Sequence, residues 1–321
     1  MAEQTTVPRV VRVILGKLAS ESEGVTTESL VGLHGSIAGH AMRPARHGGS
    51  ELGADEFVSQ ICELASLDGS LGWLAAMFHA ATRQIATLPE AVVHAVWGSD
   101  PEAVATIAYR GSGAVGPDQR LVGRWESVVG AQYADWLLLP TENARRVLVP
   151  RAAARIEPHR EGFTVAGVCD VTIAGHVVDD SHAFPSDHRA AAIAMAGAAA
   201  AVTGAAEGVW RHHVEQMRAR LATSYSGGEL ANAAPAQVAR AASDIDATRL
   251  QIVDALRRPE AEAADARAYR QAVARARSAA DHILGNSRHA LDMTDPVTRL
   301  WRDVHMGCRL SAAVLDEAVG A

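Results

Sequence analysis

At 321 residues, with 48% hydrophobic and 21% charged side chains, the chain has the balance of a folded globular protein and the length for two or three subdomains or one large unit. Its net charge of −7 gives no overall basic field, so neither nucleic acid nor a membrane is expected as a partner. Three scattered cysteines (Cys62, Cys169, Cys308) without CxxC spacing suit a reducing cytoplasm, and the adjacent His212–His213 cannot face one metal from a single helix side, so no metal is expected. The opening MAEQTTVPRV lacks a charged region followed by an apolar one, so no signal peptide is expected and the protein is placed in the cytoplasm.

Residues 6–100 read as mainly helical, starting with Val10, Val13, Ile14 and Leu18 at helical spacing. A loop at 43–53 carries two adjacent glycines. Phe57, Ile61, Leu64 and Ala65 then mark an amphipathic face that Gly69-Ser70 breaks; a third helix is predicted from Gly72 to Ala86, and a fourth after Pro89, whose fixed φ suits a first turn. From 103 to 185 short β-prone runs replace this pattern, punctuated by Gly, Pro and Asp, and predict a small antiparallel sheet or barrel. Within it GRWESVVGAQYADWLLLP (123–140) reads as two strands joined by a turn. Helix returns at 190–224, 234–258, 260–285 and 294–319, with SYSGGELANAAP as a turn between the first two. The Ala/Gly-rich run 190–206 suits tight helix packing better than a membrane span, and is expected to offer a face for self-association. The fold class is therefore mainly α with a central β segment, divided 1–102 (helical), 103–188 (β) and 189–321 (four-helix bundle).

Five stretches carry a resemblance. They are SLDGSLGWLAAMFHA (66–80), LPEAVVHAVWGSDPEAVATIAYRGSG (88–113), LVGRWESVVGAQYADWLLL (121–139), GHVVDDSHAFP (175–185) and DPVTRLWRDVHMG (295–307). In that order they resemble the acyl-CoA dehydrogenase fold, and within it the flavin-dependent monooxygenase branch of two-component hydroxylases. The resemblance implies that the β segment forms one wall of a flavin site and the C-terminal bundle the other. It implies cofactor contacts at Tyr109, Ser112, Gly113, Trp125, Val129 and Gly130, and acid/base work at His79 or His305. Trp125 also reads as a core aromatic of a small sheet, and Arg302-Asp303 as a structural ion pair holding the last helix.

Several positions depart from the family's pattern. Val129 stands where a Ser or Thr is usual and Leu310 where a His is usual; neither side chain hydrogen-bonds. His305 lies five residues from Leu310 and so on another helix face. Gly111-Ser112-Gly113 replaces Pro-Thr-Gly, Gly167-Val168-Cys169-Asp170 replaces Gly-Thr-Gly-Ser, and the link from Pro185 to the bundle is short. Glu207, Glu229 and Asp244, candidates for a dehydrogenase base, read as solvated helix charges.

The function implied is a flavin-dependent monooxygenase or related oxidoreductase acting on a small molecule in bacterial secondary metabolism, with the chain assembled as a dimer or tetramer. Reduced flavin, FAD or FMN, would come from a separate reductase, since no GxGxxG nicotinamide fingerprint is present. A flavin-free cyclase, isomerase or dehydratase, which Val129 and Leu310 favour, and a non-catalytic subunit stay open beside it.

Overall fold

The structure is a computed structural model that describes residues 11–14, 16–17, 34–143, 145–159, 163, 165–223, 233–258, 262–285, 292 and 294–320. Val10, Leu18, Glu229 and most of the SYSGGELANAAP turn lie outside the described residues. Helix α1 (Ala54–Leu67) buries Phe57, Val58, Ile61, Cys62, Leu64 and Ala65, and Asp55 and Glu56 in its first turn complement the helix dipole. Helix α2 (Gly69–Ile85) begins three residues before its predicted start. The reason is Asp68: its Oδ1 accepts the backbone N–H of Ser70 and of Leu71, so Gly69 and Ser70 enter the first turn instead of ending the previous one. Helix α3 (Glu90–Trp97) follows Pro89 as expected.

The predicted loop at 43–53 is anchored. Arg43 is fully buried, donates from Nη1 to Pro101 O (2.6 Å) and from Nη2 to Ala103 O (3.2 Å), and lies 4.5 Å from the centre of the Trp97 ring. A Cβ at Gly49 would sit 1.9 Å from Arg43 O, which fixes glycine there.

Packing groups the chain into two compact units that cut across the division drawn from secondary structure: 1–53 with 73–194 and the last two residues, and 54–72 with 195–319. The first unit holds a β-sandwich made of β1 (Ala105–Ile107), β2 (Gly111–Val115), β3 (Arg120–Val128), β4 (Trp136–Pro140), β5 (Arg145–Pro150), β6 (Arg155–Pro158), β7 (Cys169–Val177) and β8 (Ala183–Pro185). One sheet runs β1-β4-β5-β8 and the other β2-β3-β7-β6. All neighbours are antiparallel except β1 and β4. Their inner faces share one apolar core, with Leu121, Trp125, Val171 and Ile173 from one sheet and Leu137, Leu139, Val147 and Val149 from the other. The segment 123–140 is therefore not a hairpin: β3 and β4 belong to different sheets. The chain crosses between them through a turn in which the N–H groups of Tyr133 and Ala134 donate to Gly130 O, and the N–H of Asp135 bonds to Val104 O.

The second unit contains α1 and most of the bundle: α4 (His188–Thr223), α5 (Ala233–Arg257), α6 (Glu262–Leu284) and α7 (Pro296–Gly320). α4 is long and apolar enough to cross a membrane, yet its apolar window is wholly buried. The Ala/Gly run is not a free face for self-association. It packs on α1 within the chain, where a Cβ at Gly204 would stand 2.3 Å from Cys62 O and one at Gly208 2.4 Å from Ser66 O. Gly204→Ala should cost about 1–3 kcal/mol by forcing these helices apart, read as a lower urea midpoint. Gly16→Ala, whose methyl group meets nothing within 4 Å, is the control and should be neutral or gain roughly 0.5–1 kcal/mol.

Candidate functional site

β2, β3 and the segment that follows β3 carry most of the residues that the resemblance points to. Trp125 is wholly buried in the sandwich and donates from Nε1 to Pro140 O at 2.9 Å, joining the two sheets. Its six-membered ring lies over the β2–β3 pair at Gly113 and Gly123, which face each other; a Cβ on either would come within 2.6 Å of that ring. Gly113 is thus space for the indole, and Trp125 is core.

Beyond β3 the backbone is committed. Val129 is buried and its carbonyl accepts the Thr106 hydroxyl at 2.6 Å. Gly130 has φ 76°, and its N–H donates to Ala166 O at 2.8 Å and to Gly167 O at 3.2 Å. A Cβ there would meet Leu74 and Phe78 of α2 at 2.6 Å. The Gly130 amide is therefore already engaged, and so is the Val129 carbonyl. Tyr109 is half-buried with the Arg146 guanidinium 5.0 Å from its ring centre; Arg146 is itself buried, bonded to Ala108 O and Ser186 Oγ. Ser112 is exposed on β2, and its hydroxyl makes no hydrogen bond among the described residues.

His79 on α2 is fully buried. Its Nε2 lies 2.6 Å from Ser36 O, and a carbonyl only accepts, so Nε2 carries the proton. Burial drives its pKa down to about 4, so the ring is neutral at working pH and shut off from solvent. That is a structural strap, not an acid/base group. On the same helix Trp73, which the sequence does not single out, is buried, and its indole N–H has no hydrogen-bond partner among the described residues. Leaving such a donor unpaired costs about 1–3 kcal/mol. The Gly-Trp pair of the motif was its only signal.

In the second unit, the His305 Nε2 lies 2.8 Å from Asp281 Oδ1, which also accepts the Trp301 indole N–H at 2.7 Å. The Trp301 and His305 rings are 4.2 Å apart. Asp281 lines a groove of about 540 Å³ between α6 and α7, with Arg270, Arg277, Cys308 and Asp316. Leu310 lies five residues along α7 from His305, about 140° around the helix. The Arg302–Asp303 ion pair is not formed. Asp303 instead accepts the Gly69 N–H at 3.2 Å, and the ion pair across this junction is Arg299 with Asp68 at 2.8 Å.

Burial pushes the thiols up, Cys62 to about 12 and Cys169 and Cys308 to about 11, so none is a ready nucleophile. Among the described residues no cluster of His, Cys, Asp and Glu could hold a metal.

Residues 196–314 match the acyl-CoA dehydrogenase C-terminal domain family. The chain is 27% identical, over 85% of its length and 81% of the relative's, to the flavin-dependent monooxygenase oxygenase subunit HsaA of Mycobacterium tuberculosis. The crystal structure of that monooxygenase superposes with a TM-score of 0.78 at 20% identity, covering 96% of each chain. It is 24% identical over 83% of its length, and 80% of the relative's, to a pigment production hydroxylase of Rhodococcus erythropolis. XiaF of a Streptomyces species, solved in complex with FADH2 and glycerol, has a TM-score of 0.77 at 17% identity over 97% of this chain and 92% of its own. The fold expected from the sequence is the fold observed.

The buried imidazole makes a pH prediction. Unfolded, His79 titrates near 6.5; folded, at about 4. A depressed His disfavours the protonated folded state, so stability is lost as pH falls from about 6.5 to 4, by roughly 3 kcal/mol in all. His79→Gln, which can still donate to Ser36 O, should remove that part of the acid-side slope in urea unfolding followed from pH 7 to pH 4.

Proposed function

We infer that this chain, which has the fold of the acyl-CoA dehydrogenases, is the oxygenase component of a two-component flavin-dependent monooxygenase. It takes reduced flavin from a partner reductase and hydroxylates a small molecule. The observation that carries this reading is likeness along most of the chain to relatives that are themselves oxygenase subunits and hydroxylases. Copies of the chain assemble as a dimer or tetramer, and three free thiols suit a reducing cytoplasm.

The residues present fit a flavin in part. Val129 and Gly130 offer it no side-chain hydroxyl, and the Gly130 amide is already bonded within the chain. Among the described residues, the Trp73 indole N–H, buried and unpartnered, and the exposed Ser112 hydroxyl are donors of the first unit that stay uncommitted. These would hold the carbonyl-bearing edge of the ring, while the aromatic body of Trp73 keeps water away. Bound reduced flavin supplies the electrons with which O2 is activated. Of the two candidate histidines only His305 is reached by solvent. With its Nε2–H held by Asp281, the Nδ1 atom is left to accept or deliver a proton.

The test is anaerobic titration with reduced FAD and reduced FMN, then addition of labelled O2 with resorcinol and indole as probes. Flavin binding and label in the product are expected. Neither binding nor label would turn the reading towards a flavin-free enzyme, which the Val129 and Leu310 positions favour. Trp73→Phe should weaken reduced-flavin affinity about tenfold, the loss of one hydrogen bond. His305→Ala should lower turnover about 10²–10⁴-fold. Full activity of that variant places the chemistry away from this face of α7.

A further inference from the structure

The corner between α1 and α2 gathers two carboxyl groups around one cation. Asp68 Oδ1 accepts the N–H groups of Ser70 and Leu71, and its Oδ2 meets Arg299 Nη1 at 2.8 Å. Arg299 Nη2 also reaches Leu67 O at 3.3 Å. From the same helix, one turn on, Asp303 Oδ2 accepts the N–H of Gly69 at 3.2 Å. Three consecutive amides at the start of α2 are thus shared by two carboxyl groups. The approach is close enough that a Cβ on Gly69 would stand 2.5 Å from Asp303 Cβ, which is why glycine follows Asp68. Only Arg299 is paired into the cluster. Arg302 beside Asp303 points to solvent, and Arg211 of α4 stops at the Ser66 hydroxyl, a residue earlier in the corner.

We propose that Asp68, Asp303 and Arg299 form a proton-operated latch, in which a neutral Asp303 straps α7 to the first turn of α2 and release of its proton to solvent opens the strap. One arginine and the partial positive charge of a helix N-terminus balance one carboxylate well. A second carboxylate on the neighbouring amides of the same helix start, at a half-buried position, would face the first at short range. Keeping the proton on Asp303 avoids that repulsion and leaves Oδ2 free to accept from Gly69. Burial and the Asp68 carboxylate together hold the Asp303 carboxyl well above the usual range, in agreement. The sign follows: the folded state keeps a proton that the unfolded chain has already lost. Stability therefore falls as pH rises from the ordinary carboxylate value to the raised one, and below that window the latch is fully shut.

Amide hydrogen exchange of the whole chain, corrected for the intrinsic rate, tests this between about pH 6 and 9. Protection of Gly69, Ser70 and Leu71 should fall about tenfold or more relative to Ala276 in α6 as pH rises. In Asp303→Asn, whose amide oxygen still accepts from Gly69, it should stay constant. Wild-type amides 69–71 that track Ala276 at every pH would overturn the latch. So would an Asn variant whose corner is open already at pH 6, because Asp303 would then be working as an ionised cap. The wild-type profile decides the question even if the variant does not fold.

Discussion

The burial of one indole organises the β-sandwich. Trp125 sits with its ring inside the shared core and its N–H on a carbonyl of the opposite sheet. A ring of that size between two sheets about 10 Å apart leaves no room for side chains beneath it. Gly113 and Gly123 meet that demand from paired positions on β2 and β3. Because β3 is held this way, its continuation cannot fold back as a hairpin. It shifts register at a bulge between Trp125 and Val128, takes Ser127 to a positive φ of 54°, and crosses to the other sheet. The left-handed Gly130 against Leu74 and Phe78 follows from the same crossing.

The helical unit is organised by charge at close quarters. Glu207 on α4 is buried, yet it has Arg211 one turn along at 2.5 Å and Arg249 of α5 at 3.5 Å. Its reading as a solvated charge is thereby corrected: it is a buried carboxylate flanked by two guanidinium groups, with Oε1 hydrogen-bonded to Arg211 and Oε2 in ionic contact with Arg249. Breaking such a pair strands a charge, whereas its net worth against an apolar substitute is small. The network therefore says more about which helices must adjoin than about how stable they are. α7 shows the same economy. Along one helix, Arg299 and Asp303 serve the α1–α2 corner while Trp301 and His305 converge on Asp281 of α6.

The order of elements was legible because the signals are local. Hydrophobic spacing gave the helices, and Gly, Pro and Asp punctuation bounded the strands. The start of α2 differs from its predicted position because Asp68 acts through a side-chain cap, and Gly69-Ser70 looks in sequence like a helix break. Strands 123–128 and 136–140 were paired with each other because proximity in sequence is the default. Each strand does pair with a sequence neighbour, but with the other one: β3 with the preceding β2 and β4 with the following β5, while β7 and β1 complete the two sheets. For the site, residue type was readable and commitment was not. Nothing in the sequence tells that His79 is sealed against Ser36 O, that Trp125 is already bonded to Pro140, or that Trp73 is bonded to nothing.

That difference in commitment explains how the chain accommodates Val129. With Thr106 donating to the Val129 carbonyl and the Gly130 amide donating to Ala166 O, these two backbone groups of the crossing segment are paired within the first unit. A hydroxyl at 129 would be an added buried polar group requiring a partner of its own, and an isopropyl group requires none. The substitution is thus self-consistent locally, and it moves the burden of polar recognition elsewhere. A buried donor without an acceptor is tolerated in a folded protein chiefly where a water or ligand completes it. Trp73 is the buried donor in this state among the candidate residues of the first unit. On the function proposed above, recognition of a ring edge would pass from the β-sandwich crossing, where the family resemblance places it, to the helix that carries Trp73.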